Sequence, residues 1–403
     1  MLTIINTISK SLSVEISKVL SCLGQCGIGT KQAFSKSRYK ISHKAFIELN
    51  DTFVKAYYGQ GGFQLYADKW LLLGSDGSCY ELPWEKALRE EFGVADNGQS
   101  EQGICMARGV KIWDLLNRLT VCATIGHYEV AEISHFKTIW PQALSLMQGA
   151  CNAKLLLMAD MHYPSLWLMS HCHKDGIDFL FRCRPDFCRE VESFFSSGQR
   201  ESYFFIPIQE DSSRNYQYRK RAANPLEQIP KGVWVRAINF TRPNNEPSCL
   251  ITSVTSQELD YQSICKLYPY RWGEEVSFYF DKCRTQIENF SAKLPEGIRQ
   301  DWFANMLATN LAQLLIEDAQ QILDDKQKNK PNKHRYQINH SVAVGLVKDE
   351  MPKMLFGTLT PQHFYDRMIQ IILQNKEPVR LGRSYPRKRK HKLKFPMNLR
   401  RVT

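Results

Sequence analysis

Apolar residues recur along this chain with a period that changes several times. Ser42 is suited to cap a helix in which Phe46, Leu49, Phe53 and Tyr57 fall at helical spacing, and residues 1–68 as a whole read as helical. From Lys69 the period shortens: Leu71–Leu73 is a buried-strand run, followed by Asp76-Gly77 and a second short strand. Residues 84–103 are polar and predict a loop with a short helix, and residues 105–126 predict two further strands joined near Leu116-Asn117. Val130, Ile133, Phe136, Trp140, Leu144 and Met147 return to helical spacing, with Pro141 inside the pattern predicting a kink or a split. Leu155–Ala159 is a continuous apolar run, suited to a strand covered on both faces; Asp160 ends it, and a helix is predicted from near Pro164. Ile177–Cys183 is the next strand, and strand-like runs at Tyr203–Ile208, Val233–Phe240 and Cys249–Val254 follow between polar turns. Trp302–Leu323 predicts a long helix with a broad apolar face, and Val342–Val347 and Phe364–Leu373 predict two more.

At 403 residues the chain is long enough for two or three domains with a sizeable core. Its net charge of +12 points to a polyanionic partner, either nucleic acid or an anionic membrane surface. No apolar run approaches the ~18 residues that a membrane span needs. The opening stretch MLTIINTISKSLSVEISK is interrupted by Lys10 and Glu15 and lacks a small-residue cleavage site, so a cytoplasmic, DNA-associated protein is expected. The positive charge is uneven. Residues 1–68 carry eight cations against four acids, and nine cations with no acid run from Arg383 to Arg401. Both suit contact with a DNA backbone, although the first stretch also fits a solvated basic face on a packed helical unit. Arg214–Arg221 interleaves cations and aromatics, as a DNA-tracking loop or a hairpin tip would. The twelve cysteines include no C-x2-C pair. His171-Cys172-His173 with Cys183 and Cys188 matches no usual zinc-finger spacing, so reduced thiols are expected.

The densest chemistry lies in Tyr268–Lys282, YPYRWGEEVSFYFDK. On an α-helix the spacing of Tyr268, Arg271, Glu275 and Lys282 puts all four side chains within roughly 60° of one another. One face then carries a carboxylate, two cations and a phenol. Metal-assisted phosphoryl transfer needs such a set, with an acid to hold a cation and basic groups to hold phosphates; a solvated face laced with Glu–Lys pairs is the alternative. The pattern Y-x2-R-x3-E-x6-K resembles the signature helix of DDE transposases of the insertion-sequence-four family, and it is complete here. Upstream, Asp76-Gly77-Ser78 followed by Leu82-Pro83, and Asp160 in strand-Ala-Asp-x-x-Tyr, are similar to the contexts of that family's two aspartates. By itself Asp76 also fits a hairpin turn and Asp160 a helix cap. Asp114 is a rival acid placed where a turn between strands is expected.

The resemblance covers about residues 30–400 and implies an α/β fold: a ribonuclease-H-like catalytic core with a β-rich insertion, flanked by helical N- and C-terminal regions. The expected divisions are a basic DNA-end-binding domain over 1–68, core over 69–183, insertion over 184–262, core with the signature helix over 263–325, and a helical region with a basic tail over 326–403. The resemblance further implies a DNA transposase that cleaves transposon ends and joins them to target DNA by cut and paste. Asp76, Asp160 and Glu275 would be its catalytic metal ligands for two Mg²⁺ ions, with Mn²⁺ as a substitute, and Tyr268, Arg271 and Lys282 would bind DNA phosphates. The partners implied are the double-stranded inverted-repeat ends and target DNA, held by a homodimer in the synaptic complex, with no membrane involved. A nuclease that does not join strands and a non-catalytic DNA-binding regulator are the rival readings. The chain departs from hairpin-forming relatives in one respect: they begin the last insertion strand with a tryptophan that stacks on a flipped base, where this chain has Ser248-Cys249. Trp234 is the nearest substitute and reads as core, which leaves hairpin use open.

Overall fold

The computed structural model describes residues 1–6, 12–22, 24, 29–96, 103–207, 231–241, 246–328, 334–356 and 360–380. The basic tail from Arg383, the Arg214–Arg221 stretch and part of the linker expected at Lys326–Arg335 lie outside the described residues.

The helices α1 (Leu2–Asn6), α2 (Leu12–Cys22), α3 (Lys31–Arg38) and α4 (Lys44–Gln60) precede the sheet. Next come β1 (Trp70–Glu81), α5 (Lys86–Phe92), β2 (Val94–Ala95), β3 (Ile104–Asp114) and β4 (Thr120–His127). β1 corrects the sequence reading, in which two short strands flank Asp76-Gly77 and the aspartate ends the first. It is one strand through both residues, paired antiparallel with β3 from Leu73↔Asp114 to Glu81↔Met106. A two-residue Asp-Gly hairpin of the favoured type needs positive φ at both positions, and neither residue has it. The long apolar β3 supplies ladder partners on both sides of the dipeptide, so the strand continues.

α6 (Glu132–Ala150) buries His135, Phe136, Ile139, Trp140, Ala143, Leu146 and Met147. It runs unbroken through Pro141, which lies on its exposed side, so the expected split does not occur. β5 (Lys154–Ala159), α7 (Leu166–Lys174), β6 (Asp178–Cys183), α8 (Arg189–Ser197), β7 (Glu201–Pro207), β8 (Gly232–Thr241) and β9 (Pro247–Thr252) follow. β5 lies parallel to β1 on one side and to β6 on the other. Leu155, Leu157 and Ala159 pack on the α6 side, and Leu156 and Met158 on the opposite side. Burial of each such leucine contributes about 1.5–3 kcal/mol, which holds this strand at the centre.

The order β4-β3-β1-β5-β6 is that of a ribonuclease-H-like core: three antiparallel strands, then two parallel to the first. The insertion adds β9, β8 and β7 to the same sheet beyond β6, all antiparallel. Trp234, expected in the core, is 68% exposed on β8, against Phe205. On β8, Trp234 faces out between buried Val233 and Val235.

After α9 (Tyr261–Leu267), the signature stretch is not a uniform α-helix. Tyr268–Trp272 forms a 3₁₀ turn, Gly273–Tyr279 is α-helical (α10), and Phe280–Arg284 forms a π turn. α11 (Pro295–Lys328) is a long helix that buries Trp302, Ala304, Met306, Leu307 and Ile316 against the sheet edge and neighbouring helices. α12 (His340–Phe356) and α13 (Pro361–Gln374) pack on it, with the small β10 (Tyr336–Ile338) and β11 (Lys376–Pro378) pair alongside. α3 and α4 are tied to this body. Buried Arg38 bonds Gln300 at 2.8 Å and Asp301 at 2.9 Å, Asn50 donates to the carbonyls of Thr120 and Val121, and the Tyr58 hydroxyl donates to Asp114 at 2.6 Å. Among the described residues no helix is long and apolar enough to cross a membrane.

Candidate active site

The parallel pairing of β1 with β5 ends at Gly74↔Met158. Asp76 and Asp160 each lie two residues beyond that couple, so the two carboxylates stand at the end of the β1–β5 seam, where open α/β sheets carry their chemistry. Asp160 Oδ1 accepts the His162 backbone N–H at 2.8 Å, and Asp76 Oδ1 accepts the Gly77 N–H at 2.8 Å. Burial pushes the Asp76 carboxyl up to about 6, opposed by the Gly77 N–H and Arg271 and reinforced by the charges of Glu132 and Asp160.

The signature stretch leans on this seam. In its 3₁₀ turn, with three residues per turn, Tyr268 and Arg271 lie one above the other, and both are buried. Arg271 Nη2 donates to Glu275 Oε1 at 2.8 Å, and Nη1 stands 3.8 Å from Asp76 Oδ2. Arg271 Nε and the Tyr268 hydroxyl are buried without a hydrogen-bond partner among the described residues. Burial pushes the Tyr268 phenol up to about 12, with the neighbouring Arg271 charge opposing. Glu275 is half exposed at 53%. Lys282 lies in the π turn: its Nζ donates to the Cys79 carbonyl and sits 4.9 Å over the Tyr80 ring. The single face drawn by ideal helical spacing therefore becomes a buried pair, a rim carboxylate and a lysine turned toward the outer half of β1. The reason is that 3₁₀ and π turns advance by three and more than four residues rather than 3.6.

The face of α10 that does meet the sheet is Glu274, Ser277 and Phe278, continued by Asp281. Lys111 of β3, paired across from Asp76, bonds Asp281 and donates to Ser277 Oγ at 3.3 Å. Glu274 is fully buried over Gly74, and neither of its carboxyl oxygens has a hydrogen-bond partner among the described residues. Burial pushes this carboxyl well above the usual range; Asp76 adds to the shift, and Lys111 and Arg271 oppose it. Asp114, the rival acid, is a turn residue: its carboxylate accepts from the Leu116 and Asn117 backbone N–H groups and from Tyr58. Sequence reasoning missed Lys111, Glu132 and Glu274. Lys111 and Glu274 carried a faint signal, as a lone cation in an apolar strand and half of a Glu-Glu pair; Glu132 carried none.

Among the described residues no three carboxylate, imidazole or thiol groups stand close enough to hold a metal ion as they are placed. Arg271 bridges Asp76 and Glu275 instead. The donors at hand nonetheless suit a hard divalent cation. They are carboxylate oxygens on Asp76, Asp160 and Glu275, and burial together with the neighbouring charge of Asp160 raises the Asp76 carboxyl, as expected where a cation would be favoured.

A family model described as transposase DDE domain matches residues 81–311, a span that holds Asp160 and the whole signature stretch and begins just after Asp76. No curated protein sequence matches the chain. Among solved structures, one similar to it is the cryo-EM structure of a piggyBac transposase synaptic complex with hairpin DNA. It is 8% identical over 75% of this chain, with a TM-score of 0.39, and the match spans 57% of that chain's length.

Proposed function

This chain belongs to the transposase DDE-domain family, matched over residues 81–311, and we propose that it is a DNA transposase of the insertion-sequence-four type, cleaving transposon ends and joining them to target DNA. The observation that supports this most is the meeting of Asp76, Asp160 and the Arg271–Glu275 pair at one end of the β1–β5 seam, with Arg271 3.8 Å from Asp76. Asp76, Asp160 and Glu275 would hold Mg²⁺, or Mn²⁺ in its place. When bound, the metal activates a water or a 3′-hydroxyl and neutralises charge on the phosphate. Arg271 and Tyr268 keep a buried Nε and a buried hydroxyl free to bind phosphate oxygens of the DNA end. Lys282 would hold the strand further along β1. DNA-end binding by residues 1–68 would fall to exposed Lys31, Lys36, Lys40, Lys44 and Lys55, since Arg38 is buried. Two ends brought together require a dimer in the working complex.

The test is a strand-transfer assay: purified protein, Mg²⁺, and a linear fragment ending in the inverted repeats that flank the gene. Nicking at the repeat tips followed by covalent joining to a plasmid is the expected result. Nicking without joining would make the protein a nuclease, and DNA binding without either would make it a regulator.

Arg271→Lys separates phosphate binding from simple charge pairing. Lysine keeps the cation but loses the planar fork that engages two acceptors at once. Were Arg271 only the ion-pair partner of Glu275, lysine would keep that pair and end cleavage would stay within a few-fold of wild type. If the fork positions the terminal phosphate, end cleavage should fall by about tenfold or more, because misplacement of the scissile bond is costly. Non-specific DNA affinity, read by gel shift, should stay near wild type.

A further inference from the structure

We infer that Phe240 and Arg236 of the insertion strand β8 are positioning residues for the turn that carries Tyr268 and Arg271. This rests on the reading of those two side chains as phosphate-binding groups. The turn follows α9 without a break: Leu267 is the last residue of the helix and Tyr268 the first of the turn. Seven residues are too few to hold a helix by themselves, so α9 and the turn take their placement from what they pack on. Arg236, Ile238 and Phe240 share one face of β8, as alternate residues of a strand do. Arg236, 1% exposed, donates from Nη1 to the Leu259 carbonyl at 2.6 Å, two residues before α9 begins. Its Nε and Nη2 donate to Glu201 Oε2 on β7 at 3.0 and 2.6 Å. One planar guanidinium thus ties β7, β8 and the lead-in to α9 together. Further along, the Tyr261 hydroxyl donates to the Asn239 carbonyl at 2.8 Å, and the Phe240 ring meets Tyr268 edge-on, with centres 5.7 Å apart and planes at 67°.

Phe240 bears most directly on the site. Tyr268 is buried and its hydroxyl makes no hydrogen bond among the described residues, so packing sets its ring. Ile238 and Leu250 join it in one apolar cluster, and the aromatic edge of Phe240 adds a contact with a preferred direction. Tyr268 and Arg271 stand one 3₁₀ turn apart, so a ring displaced from Phe240 shifts the guanidinium with it. Asp76 and Asp160, by contrast, take their places from the β1–β5 seam of the core. The acids and the phosphate-binding turn are therefore set by different parts of the sheet, and β8 keeps the second in register with the first.

The experiment is single-turnover cleavage of an end-labelled inverted-repeat duplex by the full chain, over a range of protein concentrations. Phe240→Leu should lower the maximal rate about tenfold, because a small misplacement of the reacting groups is costly. The half-saturating concentration and the melting temperature should stay near wild type, and Phe240→Tyr, which keeps the ring, should cleave normally. Arg236→Lys keeps a cation beside Glu201 but loses the fork that also reaches Leu259, and it should show the same split; Phe240→Leu carries the test alone if that variant misfolds. In a Tyr268→Ala background, Phe240→Leu should change the rate less than about twofold further, since the residue it acts through is gone. A wild-type rate in Phe240→Leu, or an undiminished loss in the Tyr268→Ala background, would overturn the positioning role and leave the transposase reading standing. Absence of cleavage by the wild-type protein would overturn both.

Discussion

Asp76→Asn, Asp160→Asn and Glu275→Gln should each reduce Mg²⁺-dependent nicking of transposon ends by on the order of a hundredfold or more while keeping DNA affinity. Each change preserves shape and removes one anionic oxygen donor, and a hard divalent cation binds a neutral amide poorly. Groups that only orient a metal ligand already cost about 10- to 100-fold when removed, so loss of a direct ligand should cost at least as much. The three residues sit differently in the structure. Asp76, within β1, and Asp160, just past β5, each accept a backbone N–H, and Glu275 is held at the rim by Arg271. Glu274→Gln is the matched control. Its carboxyl is fully buried over Gly74, away from solvent, so the amide should leave nicking within a few-fold of wild type. A dead Glu274→Gln beside an active Glu275→Gln would move the third carboxylate one residue toward the N-terminus. Single-turnover nicking on an end-labelled duplex, with affinity from gel shift, reads both.

Lys111→Met should be the most destabilising single change at the site, by about 3–5 kcal/mol. Lys111 and Asp281 are both almost completely buried, with side chains 1% and 6% exposed. Lys111 Nζ also lies 5.0 Å from the Phe278 ring centre and bonds Ser277. Removing the cation strands Asp281 without a counter-charge in an apolar layer, beside the already buried Glu274. Removing one partner of a buried pair costs far more than the pair itself contributes. The double variant Lys111→Met, Asp281→Leu should therefore recover most of the loss. Chemical denaturation followed by tryptophan fluorescence checks it, since Trp113 lies beside Lys111. A double variant as unstable as the single one would show that Lys111 acts by packing alone.

Local patterns carried the reading of this chain where a residue's state depends on its near neighbours in sequence. The continuous apolar run of β5, the helical repeat of α6 and the insertion strands emerged close to where the sequence places them, because burial on one face or both leaves a period in the residues themselves. The signature stretch and both aspartates were likewise legible, as residue types at fixed spacing. Contacts from distant parts of the chain decided the rest. Asp76-Gly77 has the composition of a turn, and only the ladder with β3 makes it strand. Glu274 and Glu275 are the same residue type side by side; the 3₁₀ start of the segment and its packing on Gly74 bury one and leave the other on Arg271. Trp234 reads as core until its place on the outer face of β8 exposes it. Periodicity is written in single residues and their neighbours, whereas the facing of a carboxylate depends on which strand lies opposite, and that is settled only when the sheet closes.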